Sequence, residues 1–174
     1  MTTTQLTTIE LAEKQFCFAI AHFTIFSATA RERLHGHNYR VKALITSQVT
    51  ELGISFDYDI FVDKLRGLCQ QLDRYLLLPE HSPVLKITSE DAYYQVEFNH
   101  EKMSFLKSDT LLLPLRNITI EELSKWFLSQ LLNDPSGSIP PHIQEFTIKV
   151  SNGDGRWGAS RWYQTKQDRI AAGK

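Results

Sequence analysis

Residues 16–45 read FCFAIAHFTIFSATARERLHGHNYRVKALI, and the hydrophobic pattern of this stretch predicts two paired strands. In its first seven residues, large side chains alternate with small ones, so that Phe18, Ile20 and His22 fall on one face of a strand. Alternating apolar side chains return from Tyr39 onward and predict a second strand. A polar connection separates the two segments, which indicates a hairpin with a long loop.

The rest of the chain adds helices and further strands around this hairpin. Apolar spacing and turn residues predict helices at residues 57–74 and 119–132, strands at residues 146–150 and 157–163, and a Pro/Gly/Ser-rich linker at residues 133–141. Between the helices, residues 79–115 form an insertion with strand-like composition, and residues 1–13 are expected to be a loose leader. We therefore expect a single domain over residues 1–174.

Length, charge and cysteine content exclude several classes of function. The chain has 174 residues and a formal net charge of −1, with 42% hydrophobic and 22% charged residues. These values are typical of one globular domain, and they oppose non-specific nucleic-acid binding, which needs a basic excess. Its uncharged runs are too short and too polar for a membrane helix. Two cysteines cannot build a disulfide framework, so we expect a cytoplasmic protein.

Three histidines of the quoted stretch form a pattern typical of metal binding. His35 and His37 flank Gly36, so that both imidazoles point to the same side of an extended backbone, and a hairpin would place His22 opposite them. Three neutral imidazoles with a fourth position open are the ligand pattern of catalytic zinc. Ordinary surface or core histidines are the alternative, whereas an iron site of the cupin type fails because its later ligands are absent at the required spacing.

Several motifs recur along the chain in the order found in one known family. They are Phe18-Ala19-Ile20-Ala21-His22, Leu34-His35-Gly36-His37-Asn38-Tyr39, Asp57-Tyr58 after Gly53, Leu72-Asp73 at the end of the first helix, and Thr119-Ile120-Glu121 at the start of the second. With these motifs the chain resembles the 6-pyruvoyl-tetrahydropterin synthase and 6-carboxytetrahydropterin synthase family. The resemblance covers most of the chain, and its histidine motif is highly specific.

This resemblance implies an α+β tunnelling fold (T-fold), in which a four-stranded antiparallel sheet is backed by two helices. It also implies assembly into trimers that pair as homohexamers, which would cover the edges of a small sheet. By the same resemblance His22, His35 and His37 bind Zn²⁺. The metal would hold the side-chain oxygens of a dihydropterin and make the adjacent C–H easier to ionise.

The sequence departs from the family where its members carry a catalytic cysteine, a few residues before the His-Gly-His motif. Arg31 stands four residues before His35, and neither Cys17 nor Cys69 can substitute by position. Glu32 resembles the glutamate that replaces the cysteine in a subclass that releases 6-hydroxymethyl-dihydropterin for folate synthesis. A carboxylate beside a metal can act as a general base. The alternative is a solvated glutamate between two arginines.

A second departure concerns the end of the first helix. Asp73 matches the family's catalytic aspartate, but Arg74 stands where family enzymes have a histidine. An arginine cannot accept a proton at working pH. Asp73 is therefore a catalytic candidate by resemblance, while the Asp73–Arg74 pair also suits a helix end or an anion.

Three further residues are candidates for binding the pterin. Asn152 falls near the place of a family glutamate that pairs with the guanidine-like edge of the ring, and an amide lacks the charge for that pairing. The sequence around Asn152 also fits a tight turn. Thr119 and Glu121 match the family as well. Thr119 is explained equally by a capping box with Glu122, so Glu121 is the better contact candidate.

These observations predict a zinc-dependent lyase or synthase of the pterin pathway that acts on the side chain of a dihydroneopterin phosphate. Its catalytic candidates are Glu32 and Asp73, and its partner is a small-molecule pterin. The alternative is a non-catalytic or repurposed zinc-containing homologue that binds a pterin, because residues for proton transfer and anchoring have changed.

Overall fold

The computed structural model of the protein describes residues 5–133 and 139–165. Within these ranges the chain forms ten strands and two α-helices, in the order β1 (Leu6–Leu11), β2 (Cys17–His22), β3 (His35–Gln48), α1 (Asp59–Leu72), β4 (Leu76–Pro79), β5 (Lys86–Glu90), β6 (Tyr93–Phe98), β7 (Glu101–Leu106), β8 (Thr110–Leu113), α2 (Ile120–Leu132), β9 (Ile143–Ser151) and β10 (Gly158–Tyr163). Most of the linker predicted at residues 133–141 lies outside the described residues.

The predicted hairpin is present and forms the centre of the main sheet. β2 pairs antiparallel with β3, from Cys17 opposite Arg40 to His22 opposite His35. β9 pairs with the other edge of β3, and β10 pairs with β9, both antiparallel. These four strands make up the antiparallel sheet that the T-fold requires.

The main sheet is larger than the four strands expected. β4 and β8 extend it beyond β2 in parallel orientation, so that the sheet has seven strands of mixed direction. All four residues of β4, Leu76–Pro79, are buried. Alternation in the sequence does not reveal such a strand, because a strand buried on both faces is a continuous apolar run.

Residues 6–11 correct part of the prediction of a loose leader at residues 1–13, because they form strand β1, while residues 1–4 lie outside the described residues. β1 pairs antiparallel with the second half of β3, from Leu6 opposite Gln48 to Leu11 opposite Ala43. Leu11 is buried in the main core. The Thr-rich sequence favours this strand, since β-branched side chains suit a pleated sheet. At 14 residues, β3 is long enough to pair with β2 over its first half and β1 over its second.

Helices α1 and α2 pack on the sheet face that carries Phe18, Ile20 and His22. Their buried side chains, among them Leu65 of α1 and Phe127 of α2, form the main core with the inward residues of β2, β3 and β9. Both helices begin and end within two residues of the predicted positions. Neither is long and apolar enough to cross a membrane.

The insertion between the two helices contains a second sheet. β5, β6 and β7 pair antiparallel in that order and make up the inserted sheet, as the strand-like composition of residues 79–115 predicts. A small separate core, containing Phe23, Leu76, Leu78 and Val96, joins the inserted sheet to the main body. Phe23 directly follows His22, so this junction lies next to the histidine motif.

Candidate metal centre

The pairing of β2 with β3 brings the three predicted histidines together. His22 lies opposite His35, and Ile20 lies opposite His37. All three imidazoles are on the helix-facing side of the sheet, and one ring nitrogen from each lies within 4.8 Å of the others. Among the described residues, this is the group of side chains whose geometry could hold a metal ion.

Two backbone carbonyls orient the imidazoles of His22 and His35. The Nδ1 atom of His22 lies 3.1 Å from the carbonyl oxygen of Ile118, and the Nδ1 atom of His35 lies 2.7 Å from that of Arg33. Because a carbonyl only accepts, each Nδ1 carries the proton and donates it. The Nε2 lone pair of each ring is then available to a metal, which is the usual arrangement of metal-binding histidines.

Burial keeps the His22 imidazole neutral. The side chain is 2% exposed, and desolvation, helped by the neighbouring His35, lowers the pKa of His22 to about 4. Its Nε2 atom lies 3.2 Å from the hydroxyl of Tyr39. Burial raises the pKa of Tyr39, so this hydroxyl stays protonated and donates to Nε2. A neutral imidazole is the form that binds metals, and here the Tyr39 hydroxyl occupies the Nε2 lone pair that a metal would use.

Glu32 lies at the edge of the histidine cluster. Its Oε2 atom accepts a hydrogen bond from the Thr24 amide at 3.0 Å and lies 3.7 Å from the Nε2 atom of His35. Burial raises the pKa of Glu32, but the Thr24 hydrogen bonds and the neighbouring histidines outweigh it and hold the pKa below its usual value. The side chain is 37% exposed. It is therefore an ionised, oriented carboxylate that solvent can still reach.

Asp73 connects the end of α1 to strand β2. Its Oδ1 atom accepts from the Ala19 amide at 2.8 Å, and its Oδ2 atom lies 3.4 Å from Nε of Arg74. Arg74 has a φ of 69° and donates its amide to the Ala19 carbonyl at 2.7 Å. These contacts fix where α1 ends against β2, and they involve the backbone of the histidine-bearing strand rather than the imidazoles.

Thr119 and Glu121 lie at the start of α2, beside the Ile118 carbonyl that orients His22. The Thr119 side chain accepts from the Glu122 amide at 3.3 Å, as a capping box requires. The second half of the box differs, because the Glu122 carboxylate turns to Arg116 at 2.9 Å. That hydrogen bond, together with Lys125, lowers the pKa of Glu122 to about 2.

The candidate pterin residues line two separate clefts. Thr119 and Glu121 border a cleft of about 550 Å³ together with Asn117. Asn152 borders another cleft, of about 850 Å³, together with His37 and Arg74. The described chain therefore brings the three histidines and Glu32 together, and it places Asn152 apart from Thr119 and Glu121.

Sequence reasoning missed three groups that shape the centre. They are the Tyr39 hydroxyl, the Ile118 carbonyl and the Thr24 amide. Tyr39 follows His37 by two residues and so shares its face, which is a signal that the sequence does contain. The Ile118 carbonyl lies 96 positions from His22, and no local pattern reveals such a contact.

Comparison with known proteins agrees with this architecture. The family model for 6-pyruvoyl tetrahydropterin synthase matches residues 11–158. A provisionally named 6-carboxy-5,6,7,8-tetrahydropterin synthase of Pyrococcus abyssi is 25% identical over 134 residues, which cover 76% of this chain and 78% of that protein.

Solved structures extend the likeness to the whole fold. The 6-pyruvoyl tetrahydropterin synthase of Plasmodium vivax superimposes with a TM-score of 0.85 at 27% identity, covering 92% of this chain and 99% of that one. The Plasmodium falciparum protein gives 0.85 at 28% identity, with 93% and 100% covered. Two variants of the P. vivax protein, in which a glutamate described as a catalytic residue is replaced by alanine or cysteine, also give 0.85. The chain belongs to the 6-pyruvoyl tetrahydropterin synthase family.

Proposed function

We propose that the protein is a zinc-dependent lyase that acts on the side chain of a dihydroneopterin phosphate. The observation that carries the proposal is the histidine cluster, whose ring nitrogens lie within 4.8 Å of one another beside the oriented carboxylate of Glu32. Membership of a tetrahydropterin synthase family supplies the pterin as substrate class.

His22, His35 and His37 would hold the zinc. Their donor set fits this metal, since three neutral imidazoles leave a fourth position for a ligand oxygen. When bound, zinc polarises the side-chain oxygens of the substrate and acidifies the adjacent C–H. The carbonyls of Ile118 and Arg33 keep the His22 and His35 rings in the ligating tautomer.

Glu32 is the proposed general base that takes the proton from that carbon. It is ionised, it faces His35 at 3.7 Å, and the Thr24 amide fixes its Oε2 atom. The P. vivax relative, in which a glutamate is described as a catalytic residue, supports a glutamate in this role. By the resemblance, Arg31 falls at the cysteine position of other members, which makes Glu32 the neighbouring carboxylate that would replace the thiol.

Pterin binding is assigned to Thr119, Glu121 and Asn152, with Asp73 as a support for proton transfer. Because Asn152 and Thr119 line different clefts of one chain, a pterin site that uses both would need a second copy. We accordingly expect the homohexamer implied by the T-fold. Sedimentation at equilibrium would then give six times the 20.1 kDa chain mass, and a monomer would contradict the assembly.

A turnover assay tests the proposal. Zinc-loaded protein is incubated with dihydroneopterin triphosphate, and new pterins are separated by chromatography. We expect turnover, and Glu32→Gln should lower kcat by roughly 10²-fold or more while the zinc content stays unchanged. Glu90→Gln is the matched control, because Glu90 is an exposed carboxylate on β5.

Two results would contradict the proposal in different ways. Absence of turnover with about one zinc bound per chain would favour the non-catalytic pterin-binding alternative. Protein that retains no zinc, with His22→Ala as stable as the wild type, would remove the metal site itself.

A further inference from the structure

Arg31, which by the family resemblance falls at the place of a catalytic cysteine, has a largely buried side chain. Only 18% of the side chain is exposed. The guanidinium lies between two buried rings, with its central carbon 5.1 Å from the centroid of Phe23 and 5.7 Å from that of Phe98. Such cation–π contacts stabilise a desolvated arginine. Arg31 is therefore a packed residue beside Glu32 rather than a solvated loop residue.

The two terminal nitrogens of Arg31 connect different parts of the chain. One donates to the backbone carbonyl of Glu32 at 2.9 Å. The other donates to the carboxylate of Glu101 at 2.8 Å. Glu101 begins β7, and Phe98 ends β6, so both belong to the tip of the β6–β7 hairpin. Arg31 thus joins the inserted sheet directly to the backbone of the proposed base.

Backbone contacts also hold the segment that carries Glu32, and Asn117 binds both the amide and the carbonyl of Ile25 within it. A single bridge pairs Ile25 with Arg31, and the Glu32 amide donates to the Thr24 carbonyl at 2.8 Å. The Thr24 amide in turn binds the Glu32 carboxylate. Any shift of the backbone at Glu32 therefore moves its carboxylate relative to His35.

We propose that Arg31 is a positioning residue through which Phe98 and Glu101 of the inserted sheet hold Glu32 in register with the histidine cluster. The insertion then has a function in the reaction, since its residues Phe98 and Glu101 hold the arginine that positions the base. This inference deepens the proposed function and rests on it, because it takes Glu32 to be the base.

Kinetics of Glu101→Gln and Arg31→Met test this role. We expect each substitution to lower kcat on the order of tenfold, because a displaced base loses its alignment, while KM and zinc content stay close to wild type. In a Glu32→Gln background, Arg31→Met should cause no further loss of kcat, since there is no base left to position. Glu90→Gln, on the same inserted sheet, is the control and should match the wild type.

Backbone exchange gives a second readout that needs no turnover. The Glu32 and Thr24 amides should exchange with solvent about tenfold faster in Glu101→Gln than in wild type or Glu90→Gln, because their hydrogen bonds open more often. Unchanged kcat and unchanged amide exchange in Glu101→Gln would overturn the inference. It would also be overturned if Arg31→Met lowered kcat by the same factor in the wild type and in the Glu32→Gln background. If the wild type shows no turnover, the proposed function fails, and amide exchange alone decides whether Arg31 holds the segment.

Discussion

The hydroxyl of Tyr39 and a bound metal compete for the same atom of His22. Both need the Nε2 lone pair, because Nδ1 is committed to the Ile118 carbonyl. In the metal-free protein, the hydroxyl satisfies a buried nitrogen that would otherwise have no partner there. Metal binding at Nε2 would break this hydrogen bond, so we expect Tyr39 to stabilise the metal-free fold and to weaken metal affinity.

Tyr39→Phe should separate these two effects. The ring stays stacked on Phe18, with centroids 5.1 Å apart, and only the hydroxyl is lost. We expect the free energy of unfolding of the metal-free protein to fall by about 1 kcal/mol and zinc affinity to rise about fivefold. Urea unfolding and titration against a competing chelator measure the two quantities. A weaker zinc affinity would show that the hydroxyl assists the metal instead.

At this scale the sequence predicts which residues share a face and little about their partners. Alternation in β2 and the His-Gly-His spacing in β3 were enough to predict that three imidazoles meet, and the structure brings them together. The carbonyls and amides that orient them were not predictable, because the Ile118 carbonyl reaches His22 only after α2 has packed on the sheet.

Helix α2 and strand β10 approach each other closely at Gly158, and this approach fixes the start of the helix. A Cβ atom at Gly158 would lie 2.7 Å from the carbonyl carbon and oxygen of Ile120, and 3.0 Å from the amide nitrogen of Glu121. These are backbone atoms, so they cannot turn aside as a flexible side chain would. The first turn of α2 therefore keeps its position only while residue 158 is a glycine.

Gly158→Ala should destabilise the protein by about 2 kcal/mol, because overpacking forces the backbone apart. Gly67→Ala is the matched control, since nothing lies within 4 Å of a Cβ at that position of α1. Alanine favours a helix over glycine, so the control should gain up to about 1 kcal/mol. Urea unfolding measures both, and equal stability of Gly158→Ala and wild type would contradict the close approach.

The helices and strands were predictable where apolar residues recur at a regular local spacing. Both helices and the hairpin strands follow their apolar spacing, and Thr119 caps α2 as its sequence predicts. β1 and β4 were missed for physical reasons. β1 forms because the second half of β3 has an edge with which it can pair. β4 is a short apolar run without alternation, and it is buried on both faces.

For the whole molecule, strand pairing and core packing place the three histidines of the candidate metal centre. The register of β2 against β3 is fixed by six residue pairs and by the core beneath them, which includes Phe18 and Tyr39. The histidines therefore stand in place once the sheet has formed. A metal bound there would therefore be expected to stabilise a folded chain rather than to drive its folding.

Removing the metal with a chelator should leave the fold intact. We expect the far-ultraviolet circular dichroism of the stripped protein to match that of the zinc-loaded protein. Its melting temperature should fall by about 5 °C or more, because the ligand that stabilises the native state is gone. His37→Ala, which weakens metal binding, should show a smaller fall on chelation. Loss of secondary structure on chelation would contradict a preformed centre.

The direct pairing of His22 with His35 also has a consequence for the life of the protein in the cell. If the cluster binds zinc as proposed, a chain whose ligands are aligned by its own sheet would not require the metal while it leaves the ribosome. Synthesis and metal loading could then be separated in time, and zinc would activate molecules that are already folded.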